Sequence, residues 1–243
     1  MESNQSCLSQ INPSYKLLAH IVVMIMLMFI GNPVKTFVFW IVFLLLGLAL
    51  GGWTVKYLLK VMMPYCLFFV LVFWMLAAFG KGDTEIWQWA WFRITEESIS
   101  NGLTIALRML AFVTIGLLFT STTNLHLFMM SLIHQLKVSP KWAYGFMAGF
   151  RCIPMFQAEL VQLKDAHRIR GYKQSGSWQA FKRYAIPLLT NAIRKSERMA
   201  IAMEARGFTG SRNRTYYKTT ALTSIDVLYV GLLLLFAVAM VFL

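Results

Sequence analysis

The sequence predicts an all-α polytopic membrane protein, with about five transmembrane helices and a cytoplasmic set of amphipathic helices between the fourth and fifth. Three observations carry that reading. Hydrophobic residues make up 58% of the 243, with a mean hydropathy of +0.60, more than one soluble core requires. The apolar residues come in blocks (22–30 extending a run from Leu17, then 37–50, 61–79, 103–120 and 227–243), several of them near the roughly 20 residues a helix needs to cross a bilayer core. The net charge of +13 is concentrated: residues 134–218 hold sixteen Lys/Arg against Glu159, Asp165, Glu197 and Glu204, a net +12.

Orientation follows from where the bases sit. Lys56 and Lys60 mark one connecting segment as basic, whereas residues 81–101 set Lys81 and Arg93 against Asp83, Glu85, Glu96 and Glu97. The positive-inside rule places the N-terminus, the Lys56/Lys60 loop and the basic segment in the cytoplasm, and the acidic loop and C-terminus outside. The polar start, MESNQSCLSQINP, lacks a basic n-region and a small-residue cleavage site, so it is expected to stay on the protein.

Asn12-Pro13-Ser14 opens the first span, which is short and crosses only if the bilayer adjusts locally. Gly31-Asn32-Pro33 is a tight turn into the second span, and Gly51-Gly52 ends that one. The third is expected from about Val61, with Pro64 in its first turn, where a missing N–H costs least. Trp87, Trp89 and Trp91 fit an aromatic belt at the interface, the alternative being an extracellular ligand platform. Thr95-Glu96-Glu97 reads as a helix start. Arg108, inside the fourth apolar run, either snorkels to the interface or makes an intramembrane polar contact with a carboxylate or another subunit.

After the fourth span Leu125, Phe128, Met129, Leu132, Ile133 and Leu136 fall at helical spacing, giving a short amphipathic helix that ends by Ser139-Pro140. Residues 141–170 and about 178–206 then read as two long helices, each kinked or restarted at a proline (Pro154, Pro187) and stopped by a glycine (Gly171, Gly207) around the loop KQSGS. The parallel is an internal pseudo-repeat. Arg151-x-Ile153-Pro154 precedes Arg170-Gly171-Tyr172, and Arg183-x-x-Ile186-Pro187 precedes Arg206-Gly207-Phe208. Glycine past a helix end closes the last turn in the left-handed conformation, and an arginine there meets the negative end of the helix dipole. Two such tips on helices rich in apolar and small residues suit bidentate docking on carboxylates of a partner with two equivalent grooves.

These residues also carry a resemblance. INPSYKLL, ALRML around Arg108, TSTTNLHLFMMSLIHQLKVSP, FRCIPMFQAELVQLKDAHRIRG and SERMAIAMEARGFTG together resemble the transmembrane coupling subunit of energy-coupling factor (ECF) transporters, the EcfT/CbiQ family. The likeness covers most of the chain. It implies two Ala-Arg-Gly motifs at the ends of coupling helices, whose arginines dock into two ABC ATPase subunits. Carried onto this sequence, the ATPase-docking residues are Arg170 and Gly171, and Ala205, Arg206 and Gly207. The first motif departs by Ile169, where alanine is usual. The resemblance further implies a small membrane-embedded substrate-binding subunit, contacted through Ala143, Phe146, Met147 and Phe150 and through Ile193, Met199 and Met203, for uptake of a vitamin or metal ion across a prokaryotic plasma membrane. The domains on this reading are 1–122 (spans one to four), 123–218 (coupling helices) and 219–243 (last span).

No GxxxxGK[ST] loop or HExxH motif is present, and His20, His126, His134 and His167 are not at ligand spacing with acids. Cys7, Cys66 and Cys152 form no CxxC pair. No catalytic residue, metal site or cofactor is therefore expected, nor a nucleic-acid partner. Two other readings stay open: a polytopic membrane enzyme whose basic cytoplasmic helices hold anionic lipid or a phosphorylated substrate, and a membrane-anchored binder of nucleic acid or anionic lipid.

Overall fold

The computed structural model describes residues 7–80, 84–89, 92–172, 178–211, 215, 216 and 219–242. The chain divides into two compact units, Met1–Ser131 with Thr220–Leu243, and Leu132–Thr219.

The first unit begins with a 3-10 turn at Cys7–Ser9, followed by α1 (Pro13–Met28) and α2 (Pro33–Ala49). Both helices open on Asn-Pro. The asparagine Oδ1 accepts from the backbone N–H two residues on (Ser14, 3.4 Å; Val34, 2.9 Å), and proline takes the first helical position, where no N–H is needed. At 16 and 17 residues they are roughly 25 Å long, shorter than a bilayer core of about 30 Å. Among the described residues, three helices are long and apolar enough to cross: α3 (Val55–Phe79), α4 (Glu96–Thr122) and, near the end of the chain, Ser224–Phe242.

One expectation is corrected in this unit. The third span starts six residues earlier than expected, so Pro64 lies inside α3 and not in its first turn. The apolar block locates a span, but a helix continues into polar flanks such as Lys56 and Lys60 that block counting leaves out. The loop before α4 holds an antiparallel hairpin, β1 (Glu85–Trp89) with β2 (Phe92–Thr95), in register Trp87↔Ile94 and Trp89↔Phe92. Tryptophan at every second position is a strand period; Trp91 lies outside the described residues. Thr95 then caps α4, its Oγ1 accepting from Ser98 N–H at 3.2 Å.

Helix α4 is the axis of this unit, packing against α1, α2 and α3. Val23, Leu27, Phe39, Phe43, Ala111, Ile115 and Leu118 form the buried core with Leu233 and Ala237 of the last helix, which lies on α1. Phe39 and Phe43 stack at 5.1 Å. Indole donors fasten α2 and its turn to α4: Trp40 Nε1 to Thr114 Oγ1 (3.1 Å) and Trp53 Nε1 to Ser121 Oγ (2.8 Å). Against α3, α4 presents Gly102, where an added Cβ would stand 3.2 Å from Leu76 Cβ and 3.5 Å from the Phe73 carbonyl oxygen. Small residues let membrane helices approach this closely. Gly102→Leu should therefore force α3 away and cost about 1–3 kcal/mol, read as a lower unfolding midpoint in detergent.

After α5 (Leu125–His134) the second unit consists of α6 (Pro140–Ile169) and α7 (Trp178–Ala205), with the last helix, α8 (Ser224–Phe242), returning to the first unit. Neither interior proline restarts its helix: α6 runs through Pro154 and α7 through Pro187. A proline removes one intrahelical bond, and 28 and 30 residues of otherwise helical sequence outweigh it. The two helices are antiparallel. His167 and Tyr172 at the end of α6 pack on Tyr184 and Arg183 near the start of α7, and Phe208 beyond α7 packs on Tyr144 at the start of α6 (5.5 Å). Between these ends Lys195 pairs with Glu159.

Candidate functional site

The two arginine-glycine pairs form the same local structure. In the first, Gly171 has φ +73°, its N–H donates to the Arg168 carbonyl (3.1 Å), and Tyr172 N–H reaches back to the His167 carbonyl (3.2 Å). In the second, Gly207 has φ +80°, its N–H donates to the Glu204 carbonyl (2.9 Å), and Phe208 N–H reaches the Met203 carbonyl (2.9 Å). Both are Schellman caps, with glycine at the left-handed position because it alone has no Cβ penalty there. Arg170 and Arg206 occupy the equivalent cap residue, and both are exposed. Ile169 takes the place in the first cap that Ala205 takes in the second, and at 87% exposure it does not disturb the turn.

The residue after each glycine anchors its cap. Tyr172 meets His167 edge-on (5.2 Å) and carries the Arg183 guanidinium over its ring at 4.5 Å. Because α6 and α7 run antiparallel, the two arginines stand at opposite ends of the pair, separated by roughly one helix length, about 40 Å. Sequence spacing could say that there were two tips; only the antiparallel packing sets them that far apart.

Between the tips the helices present apolar surface. Phe146, Phe150 and Ile193 are exposed, and Met147, Met199 and Met203 are partly exposed, whereas Ala143 is buried and has no surface to offer a partner. A hollow of about 460 Å³ lies between α6 and α7, lined by Gly145, Ala148, Gly149 and Cys152 on one side and Ala192, Ser196, Met199, Ala200 and Met203 on the other. Trp142 and Ile153 extend the exposed stripe on α6. A Cβ at Gly145 or Gly149 would meet nothing within 4 Å, so packing inside the chain does not require these glycines. The signal that could have found the hollow is small residues at four-residue steps: Gly145 and Gly149, then Ala192, Ser196 and Ala200.

Arg108 sits elsewhere, in the first unit. Its Nη2 donates to the Ile30 carbonyl at 2.8 Å, at the end of α1, and one turn earlier Thr104 Oγ1 donates to the Gly31 carbonyl at 3.3 Å. A cation facing the last carbonyls of a helix complements the dipole and satisfies an orphan acceptor. The α1–α2 turn thus lies level with residues 104–108 of α4, leaving the first turns of α4 and the β-hairpin beyond it. Among the described residues, no three His, Cys, Asp or Glu side chains converge to hold a metal ion.

Reading the sequence for function missed the polar groups at the start of α1. Lys16 is fully buried, its Nζ donating to the Leu8 carbonyl (3.0 Å) and to Thr122 Oγ1. Asp226, also buried, accepts from Asn12 N–H and Thr223 N–H, both at 2.8 Å. Lys16 stands in the quoted INPSYKLL and Asp226 heads the last apolar run, but the pairing of residues more than 200 positions apart has no local signature.

Comparison with known proteins gives one family. The family model described as CbiQ, cobalt transport protein, matches residues 4–217. Relatives named energy-coupling factor transporter transmembrane protein EcfT include that of Brevibacillus brevis, 30% identical over 87% of this chain and 84% of its own. That of Streptococcus thermophilus is 28% identical over 95% of this chain and 94% of its own, and that of Bacillus subtilis 25% over 98% and 94%. With a family model matching residues 4–217 and relatives aligned over most of both chains, the chain belongs to the EcfT/CbiQ family of energy-coupling transmembrane components of ECF transporters.

Proposed function

We propose that this chain couples two ABC ATPase subunits to a small substrate-binding membrane subunit in the uptake of a vitamin or metal ion. The observation that carries the reading is the pair of matching caps, Arg170 and Arg206, at the two ends of one antiparallel helix pair. Each arginine enters a groove of one ATPase, where a planar fork of donors pairs with carboxylates. The exposed apolar stripe of Phe146, Phe150 and Ile193, with the hollow beside it, receives the substrate-binding subunit. Coupling requires that the chain engage the nucleotide-bound and empty ATPase states unequally. Two caps some 40 Å apart on a stiff pair supply a lever whose ends can be displaced when the ATPases close.

In this arrangement the N-terminus and the unit of Leu132–Thr219 lie in the cytoplasm and the C-terminus outside, in the plasma membrane. The distribution of Lys and Arg supports this. So does Asp226, which brings the N-terminal ends of α1 and α8 together and so gives the two helices one direction.

The rival, a basic surface holding anionic lipid, nucleic acid or a phosphorylated substrate, is tested by where charge matters. Neutralising Arg170 or Arg206 singly to Gln is expected to lower recovery of the ATPases in detergent pull-downs by about 30-fold or more, as for one desolvated interfacial charge. Neutralising Lys164 and Arg194, exposed bases away from the caps, should leave it within about twofold, as for rim charges. Equal losses from both pairs would favour the electrostatic surface.

A further inference from the structure

The chain leaves the first unit after Ser131 and re-enters it at Thr220, and three residues at the start of α1, Asn12, Ser14 and Lys16, hold both leads. On the outgoing side, Ser14 Oγ and Ser131 Oγ are hydrogen-bonded at 2.7 Å, and Lys16 Nζ donates to Thr122 Oγ1 at the end of α4. On the returning side, Asp226 accepts from the Asn12 N–H with one oxygen and from the Thr223 N–H with the other. Asn12, Ser14, Lys16, Thr122, Ser131 and Asp226 are all at most 5% exposed. The far end of α1 is held too, through Arg108 and Thr104 of α4.

We propose that this buried clasp, residues 12–16 of α1 with Thr122, Ser131 and Asp226, is the positioning element that passes displacement of the coupling unit into the membrane bundle. The inference rests on the coupling function proposed above. Apolar helix faces can shear past one another at little cost, because dispersion and hydrophobic contacts are non-directional. Buried hydrogen bonds differ: each has one geometry, and a slipped arrangement leaves its donors and acceptors unmatched away from water. A clasp on both leads therefore makes α1 follow when the leads are pulled, and α8 follows α1 through Asp226. Lys16 suits the role because its ammonium meets the Leu8 carbonyl and Thr122 at the negative end of α4, where a cation is favoured without a carboxylate partner.

The test uses the complex co-expressed with its ATPases in lipid nanodiscs. Spin labels are placed on exposed positions of α1 (Leu18) and α3 (Leu71), in a background without the native cysteines. The readouts are ATPase rate and the label-to-label distance distribution, with and without ATP–vanadate. The S14A/S131A variant removes both partners of the clasp bond together, along with the local bond from Ser131 Oγ to the Phe128 carbonyl (2.9 Å) within α5. It is expected to keep assembly and ATP hydrolysis, while the fraction of complexes showing the nucleotide-dependent distance shift falls about fivefold, the factor one net hydrogen bond commands. Trp40→Phe removes a polar tie of the same unit outside the clasp and should leave the shift intact. An unchanged shift in S14A/S131A, or an equal loss in Trp40→Phe, overturns the proposal. If S14A/S131A does not assemble, Ser131→Ala alone carries the same comparison. Absence of any ATPase in the wild-type complex would instead overturn the coupling function on which the inference rests.

Discussion

Replacing both Arg170 and Arg206 by glutamate is expected to abolish association with the ATPases while the protein still inserts and folds. Both side chains are exposed caps whose helix-terminating bonds are made by the backbone of Gly171, Tyr172, Gly207 and Phe208, so local structure does not depend on them. Loss of the favourable dipole contact costs about 0.3–1 kcal/mol at each exposed tip, too little to unfold the chain. Binding is different. A charge desolvated in a groove contributes about 2–5 kcal/mol when its partner is left unpaired, and reversal adds repulsion. Two such changes should lower affinity by more than about a thousandfold. Co-purification in mild detergent reads the loss, and gel filtration of the variant alone verifies that it stays folded. Normal recovery of an ATPase pair with the double variant would sink the docking role. Each single variant should leave one end attached, so the two singles should weaken assembly less than the double.

The second large effect is expected at Asp226. In Asp226→Ala the N–H groups of Asn12 and Thr223 lose their acceptor; Asn12 is buried away from water, whereas Thr223 is exposed and its N–H can turn to solvent. The orphaned buried Asn12 donor costs about 1–3 kcal/mol, so the variant should be destabilised by about that much. Asp226 is the third residue of α8, and its carboxylate turns back to the N–H of Thr223, the residue before the helix. It also places one carboxylate against the positive ends of two helix dipoles. Asp226→Asn keeps one acceptor oxygen and should fall between the two. Thermal unfolding in detergent gives the order, wild type above Asn above Ala. If Ala and Asn were equal to the wild type, Asp226 would not be holding α1 to α8.

The membrane class, the order of spans and both arginine caps were legible because each depends on neighbours in sequence. Apolar blocks report burial in lipid, Asn-Pro reports a helix start, and Arg-Gly-aromatic reports a helix end. The early start of α3 and the hairpin at Trp87 and Trp89 were less legible. In α3 the apolar period fades before the helix does, and in the hairpin the two-residue tryptophan period does not carry the register that pairs β1 with β2. Of the candidate contact residues, Phe146, Phe150 and Ile193 are exposed, whereas Ala143, at the same helical spacing, is buried, a difference that spacing alone does not show.

By itself the sequence determined what lies within about a turn of any residue: spans, caps, charge distribution and the motifs that mark the family. Tertiary structure alone decided how far apart Arg170 and Arg206 stand, which carbonyl receives Arg108, and that Asn12, Ser14 and Lys16 hold both leads to the second unit. The physical reason is range. Periodicity and capping are local backbone properties, whereas a buried ammonium or carboxylate is stabilised by whichever distant donor or acceptor the packing delivers to it.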